Sequence, residues 1–235
     1  MQLPVYRIVE GRRPAGLVMP EPVPSATVLG DYFAYGAYLQ AASAVAFGRL
    51  ERELGLHGAP DELVDGSRLA RFAELRHARS LGRLARLHGA HPVTPKAQTA
   101  RVRDLVDIAL ANIVEGFVRT TYGAAVAEHR ARVAEDDEIR SVMVEIAPDE
   151  RVHAQLALDT AVWLQSEIDP VEGALVEDAM RHAVISLARE LDVEVDSELR
   201  TRAGVPSRAE ALAIWSDLSK RVWHGLSECV WTTAA

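Results

Sequence analysis

Two Glu-x-x-His pairs, Glu74-Leu75-Arg76-His77 and Glu150-Arg151-Val152-His153, most constrain how this chain can fold. On a helix, a spacing of three residues puts carboxylate and imidazole on one face. Each pair also interrupts an apolar stripe. The first stripe reads Ala70, Glu74, His77, Leu81, Leu84, and the second Met143, Ile146, Glu150, His153, Ala157, Leu164. Stripes of that period face a core. A carboxylate buried alone there either loses several kcal/mol of hydration or takes up a proton. Two such pairs on two helices can supply each other's partner through a shared metal ion. The same spacing is met by an ordinary hydrogen bond across one turn on a wet face, so the rest of the chain has to decide.

The chain between and around the pairs reads as helix after helix. Residues 1–24 hold five prolines and form an extended arm, with Val5 to Val9 as a short strand. The arm is expected to lie along the helices or across a subunit contact. A first helix spans Asp31 to Leu56, with Phe33, Gly36, Gln40, Phe47 and Leu50 on its buried face and His57-Gly58 as its stop. Pro60-Asp61-Glu62 opens a second, which runs to His88-Gly89. After a Gly/Pro loop, a third runs from near Lys96 to Val133, with Ile108, Ala111, Glu115, Val118 and Tyr122 facing inward. Asp136 or Asp137 caps a fourth, which extends to Ile168. Pro148 inside it predicts a kink or an added loop of backbone beside Glu150. Asp169-Pro170 starts a fifth helix to Leu191, and after a polar connector Pro206-Ser207 opens a sixth that ends near Trp231. Nothing reads as a sheet, so the expected fold is all-α.

Composition narrows the function classes. The formal net charge is −8, and the arginines are mixed with acids along the helices, so no basic stripe for nucleic acid emerges. The single Cys229 excludes an intramolecular disulfide and a cysteine-based zinc site. No stretch approaches the roughly 18 apolar residues of a membrane span, and no signal-peptide core precedes the helices. A cytoplasmic protein is the default expectation.

The two halves resemble each other. Gln40 precedes Glu74 by 34 residues and Glu115 precedes Glu150 by 35. Long helices joined by short loops pack antiparallel, which brings positions so separated level with one another. Gln40, Glu74, His77, Glu115, Glu150 and His153 can therefore converge at one depth, in the ligand pattern of a dinuclear carboxylate bundle.

Residues 31–168 resemble the ferritin-like superfamily in its rubrerythrin-like, bacterial di-iron branch. The resemblance rests on Ala73-Glu74-Leu75-Arg76-His77-Ala78, Asn112-Ile113-Val114-Glu115-Gly116 and Asp149-Glu150-Arg151-Val152-His153-Ala154. It implies an antiparallel four-helix bundle over 25–168, a C-terminal helical extension over 169–235 and the N-terminal arm over 1–24. It further implies Glu74 and Glu150 as bridges between two irons, and His77, Glu115 and His153 as terminal ligands. Asp149 would orient an imidazole by accepting its far N–H; as an ordinary residue it would be a surface Asp in a kinked turn. Gln40 stands where the pattern expects a Glu. A neutral amide is a poorer ligand, so the metal position nearer His77 is expected to be the weaker one. Three outcomes follow: an intact pair, a single Fe or Mn in the position served by Glu115 and His153, or a bundle without metal. The implied partners are dioxygen or peroxide and a small-molecule substrate, with a homodimer common among such bundles. The competing reading is a non-catalytic bundle that binds a protein partner.

Overall fold

The computed structural model describes residues 12–18, 25, 27–97 and 101–224. Its architecture is all-α. The sole strands among these residues are β1 (Leu17–Val18) and β2 (Lys96–Ala97), paired antiparallel over two residues. The expected strand at Val5 to Val9, Cys229 and the end near Trp231 lie outside the described residues.

Helix α1 (Val28–Leu56) begins where the Thr27 hydroxyl accepts from the Gly30 amide at 3.0 Å, and ends at Gly58, whose φ of +75° carries the chain out of the helix. Helix α2 (Asp61–Leu87) returns along α1 after a four-residue connection and ends at Gly89, again at positive φ. The third helix of the sequence reading is composite. It starts not near Lys96 but at α3 (Leu105–Ala111), where Asp104, in an extended backbone conformation, caps it by accepting from the Asp107 amide. It then widens into a π-helical segment, Asn112–Val118, before continuing as α4 (Arg119–Val133). Helix α5 (Asp137–Glu167) packs back along α4 and contacts α2.

Pro148 does not interrupt α5, which remains α-helical through it. The carbonyl it leaves without an amide donor belongs to Val144, on the exposed side of the helix, where water can replace the bond. The extra backbone expected beside Glu150 lies instead in the helix that carries Glu115.

Beyond α5, α6 (Pro170–Leu191) starts with a capping box between Asp169 and Glu172 and packs against α3 and the π segment. The expected polar connector contains a further helix, α7 (Ser197–Ala203), whose Thr201 and Arg202 carbonyls accept from the Glu135 and Asp136 amides. It is too short to show an apolar period. Helix α8 (Arg208–Leu218) follows, capped by Ser207, and passes into a second π segment, Ser219–Trp223. No described helix is long and apolar enough to cross a membrane.

The apolar interior forms two clusters. One gathers Phe47, Leu50, Ile108, Ile113, Leu164 and residues of α6. The other gathers Phe33, Tyr38, Leu84, Ile139 and Met143. Between them, on α1, α2 and α5, lies a buried polar layer: Gln40, Ser43, Glu74, His77, Glu150 and His153, none more than 3% exposed.

Candidate metal centre

Each polar side chain in this layer occupies a position where the stripe of its helix would otherwise place an apolar residue. The hydrophobic clusters above and below hold the helices in register, so the polar groups cannot escape to water. His77 Nδ1 lies 3.9 Å from Glu74 Oε2 and 3.6 Å from Glu150 Oε1. His153 Nδ1 lies 3.5 Å from Glu74 Oε1 and 3.9 Å from Glu150 Oε2. Each carboxylate thus presents one oxygen to one imidazole and its second oxygen to the other. The two imidazole rings are 6.0 Å apart, centre to centre.

Five atoms in this layer have no hydrogen-bond partner: Gln40 Oε1, Glu74 Oε2, His77 Nδ1, Glu150 Oε2 and His153 Nδ1. Buried polar atoms are rarely left so, because each unsatisfied one costs about 1–3 kcal/mol. A cation removes that cost for several atoms at once. Glu74, His77 and Glu150 offer donor atoms that all lie within 4.8 Å of one another. Around an ion with ligand bonds of about 2.1 Å, donor atoms sit roughly 3–4 Å apart, so the observed separations need only a small contraction. This buried Glu-His-Glu group could bind a metal ion.

The remaining groups orient these donors. His77 Nε2 meets Asp149 Oδ2 at 3.0 Å, and Arg76 holds the same oxygen at 3.1 Å. The Ser43 hydroxyl donates to Glu74 Oε1 at 2.8 Å, and Gln40 Nε2 reaches Glu150 Oε1 at 3.5 Å. Gln40 thus turns its amide nitrogen towards the cluster's carboxylate.

Electrostatics without a metal follow from the same geometry. Burial lowers the pKa of the His77 imidazole, but Glu150, Glu74 and Asp149 outweigh it and push the pKa up to about 9. His153 is also buried and also raised, by Glu74 and Glu150. Burial and repulsion from Glu150 raise the Glu74 carboxyl. Glu150 suffers the same desolvation, yet the close approach of His77 and the charges of both imidazoles hold it below its ordinary value. At neutral pH a metal would therefore have to displace a proton from His77.

Glu115 does not join the group. Its Oε2 accepts from the Arg13 amide at 3.3 Å and its Oε1 lies 3.5 Å from Arg119 Nε, with the side chain partly exposed. The buried face of this helix runs through Ile108, Asn112 and Gly116, one position beyond Ala111 and Glu115, as the helix passes into its π segment. Asn112 instead donates to the Ala157 carbonyl at 2.8 Å and accepts from Arg12. The three-donor group among the described residues, Glu74, His77 and Glu150, forms on the His77 side, and Glu115, expected to serve the stronger position with His153, stands apart from it.

Two buried polar residues, one in the layer and one beside it, escaped the sequence reading. Ser43 continues the spacing of Gly36, Gln40, Phe47 and Leu50, so its signal was present in the stripe. Arg12, only 6% exposed, comes from the arm, and no local pattern marks it. Tyr122 is buried, and its hydroxyl reaches the Ala211 carbonyl at 3.5 Å. Trp215 donates to the Val184 carbonyl and Trp223 is buried.

No family model, no curated protein and no solved structure matches this chain.

Proposed function

We propose that the chain is a ferritin-like metal protein, with an antiparallel four-helix bundle over residues 25–168 and an oxidoreductase activity towards a small substrate. The observation that carries this reading is the pair of buried carboxylates, each facing both imidazoles, with four of their donor atoms and the Gln40 carbonyl unpaired. Iron is the metal we assign, because carboxylate and imidazole together suit hard, oxidisable cations. Once bound, it would supply one-electron chemistry towards dioxygen or peroxide.

In this reading the chain's own residues divide the work. Glu74, His77 and Glu150 hold the first ion. Glu74, Glu150 and His153 provide a second position, which lacks a terminal carboxylate while Glu115 stays with Arg13 and Arg119. Asp149 keeps His77 Nδ1 turned inward. The apolar clusters exclude water from both sides. The assignment to the superfamily and the reaction type rests on the resemblance of the motifs together with this geometry.

A second reading has its own support. With both imidazoles protonated, two carboxylates and two cations form a neutral buried quartet, and the raised pKa values of His77 and His153 are what such a quartet produces. The chain would then be a metal-free bundle that acts through a protein partner. Anaerobic loading with ferrous iron separates the two. The metal reading expects at least one tightly held iron per chain and a new near-ultraviolet absorption on admitting air. No retained iron and no optical change would leave the quartet.

A further inference from the structure

A second feature lies beside the polar layer. Residues 12–15 of the arm, α1, and the junction of α3 with the π segment line a partly open cavity of about 370 Å³. That is room for an organic molecule of on the order of twelve non-hydrogen atoms. Ala46, Leu50, Ile108 and Ala111 supply apolar wall, while Arg12, Arg13, Arg49 and Arg103 face Glu115 as the lining charges.

Arg103 is neutralised by Glu53, which it grips through Nε and Nη2. Arg12 is different. Its guanidinium is buried, and its partners among the described residues are uncharged: the Asn112 carbonyl oxygen and the face of Phe47, 5.2 Å from Cζ. Glu115, Glu74 and Glu53 act on it only from farther away, and desolvation lowers its pKa to about 10. A buried cation without a contacting anion is unfavourable unless something negative completes it.

The backbone is shaped to keep it there. A Cβ on Gly116 would fall 1.9 Å from Arg12 Nη2, so a larger residue there would push the guanidinium tip from its present place. The cavity wall also reaches the metal ligands. The Arg12 amide donates to Ser43 Oγ at 3.1 Å, Ser43 donates to Glu74, and Phe47 lies 5.1 Å from the His153 ring.

We propose that this cavity binds a small organic carboxylate, its charge on Arg12 and its hydrocarbon body against Leu50 and Ile108. A planar guanidinium suits a carboxylate, and the apolar wall beside it selects an amphiphilic acid over an inorganic anion. As a statement about binding this stands on the cavity alone. As a statement about substrate it rests on the metal reading, since the bound acid would lie next to the carboxylate and imidazole layer.

The test uses the full chain, both chelator-treated and iron-loaded, titrated calorimetrically with phenylacetate and with its neutral isostere phenylacetamide. We expect saturable binding of phenylacetate in both forms, roughly tenfold or more tighter than the amide. Arg12→Gln should bring the two ligands to similar affinity. Ala46→Leu fills the cavity without touching Arg12 and should weaken phenylacetate binding by a similar factor. Absence of saturable phenylacetate binding, equal affinity for acid and amide, or unchanged binding in Ala46→Leu would overturn the proposal. A chain that binds phenylacetate but retains no metal would keep this inference and sink the metal reading.

Discussion

His77 and Asp149 meet across the contact between α2 and α5, with Nε2 and Oδ2 3.0 Å apart. The hydrogen bond ties the outer edge of the imidazole and leaves Nδ1 facing Glu74 and Glu150. An imidazole free to flip would offer its metal-binding nitrogen to the cluster only part of the time.

Asp149→Ala is therefore expected to lower metal affinity by about 10- to 100-fold, the usual effect of removing a group that orients a ligand. The helices should remain folded, because Asp149 lies partly exposed at the rim of the layer. Metal titration followed by circular dichroism of the same samples checks both parts. Unchanged affinity would show that the hydrogen bond is incidental.

Gln40 places its amide nitrogen 3.5 Å from Glu150 and leaves its carbonyl oxygen without a partner. Gln40→Glu replaces that amide with a carboxylate already aimed at the cluster. Retained metal per chain should rise, with a loss of stability when the metal is removed, since a third buried carboxylate then repels the other two. Elemental analysis and thermal melts with and without chelator read these changes. No effect on either would remove Gln40 from the ligand set.

How far these residues could be read in advance depended on how local their signal is. Glu74, His77, Glu150 and His153 break the apolar stripes of helices that stay α-helical throughout, so a simple period placed them. Glu115 broke a stripe too, but the buried face of its helix runs one position beyond it, through Ile108, Asn112 and Gly116, as the helix passes into its π segment. No residue in that segment announces a π turn. Arg12 enters from a distant segment, and α7 is seven residues long. Both are set by tertiary contacts that leave no periodic trace. Pro148 adds no loop of backbone: a proline whose freed carbonyl faces water is tolerated inside a long helix.

Gly204 ends α7 at a φ of +63°, and a Cβ there would lie 2.9 Å from the Ala134 backbone nitrogen. Neither the left-handed conformation nor the close backbone approach can relax cheaply. Gly204→Ala should destabilise the chain by about 1–3 kcal/mol. Urea unfolding reads the change. An unaltered midpoint would show that α7 is not fastened to the turn between α4 and α5.

Asp136 caps α5, accepting from the Glu138 and Ile139 amides, and pairs with Arg202 of α7 at 2.6 Å. Partial burial opposes the charged form, but Arg202 and the helix amides outweigh it and hold the carboxyl below its ordinary value. A depressed pKa contributes stability that is present above the unfolded value of about 4 and fades as pH falls through the folded value. Asp136→Ala should cost about 1 kcal/mol at pH 7 and progressively less below pH 4. A difference that is constant down to pH 2 would contradict this origin.

Elemental analysis of the chain purified without a histidine tag tests the central claim most directly, with Glu150→Gln measured beside it. We expect at least one equivalent of iron or manganese per folded chain, lost in the variant while its helical signal persists. A folded wild-type chain that carries no metal above background after ferrous loading, and whose melting temperature ignores chelator, would contradict it.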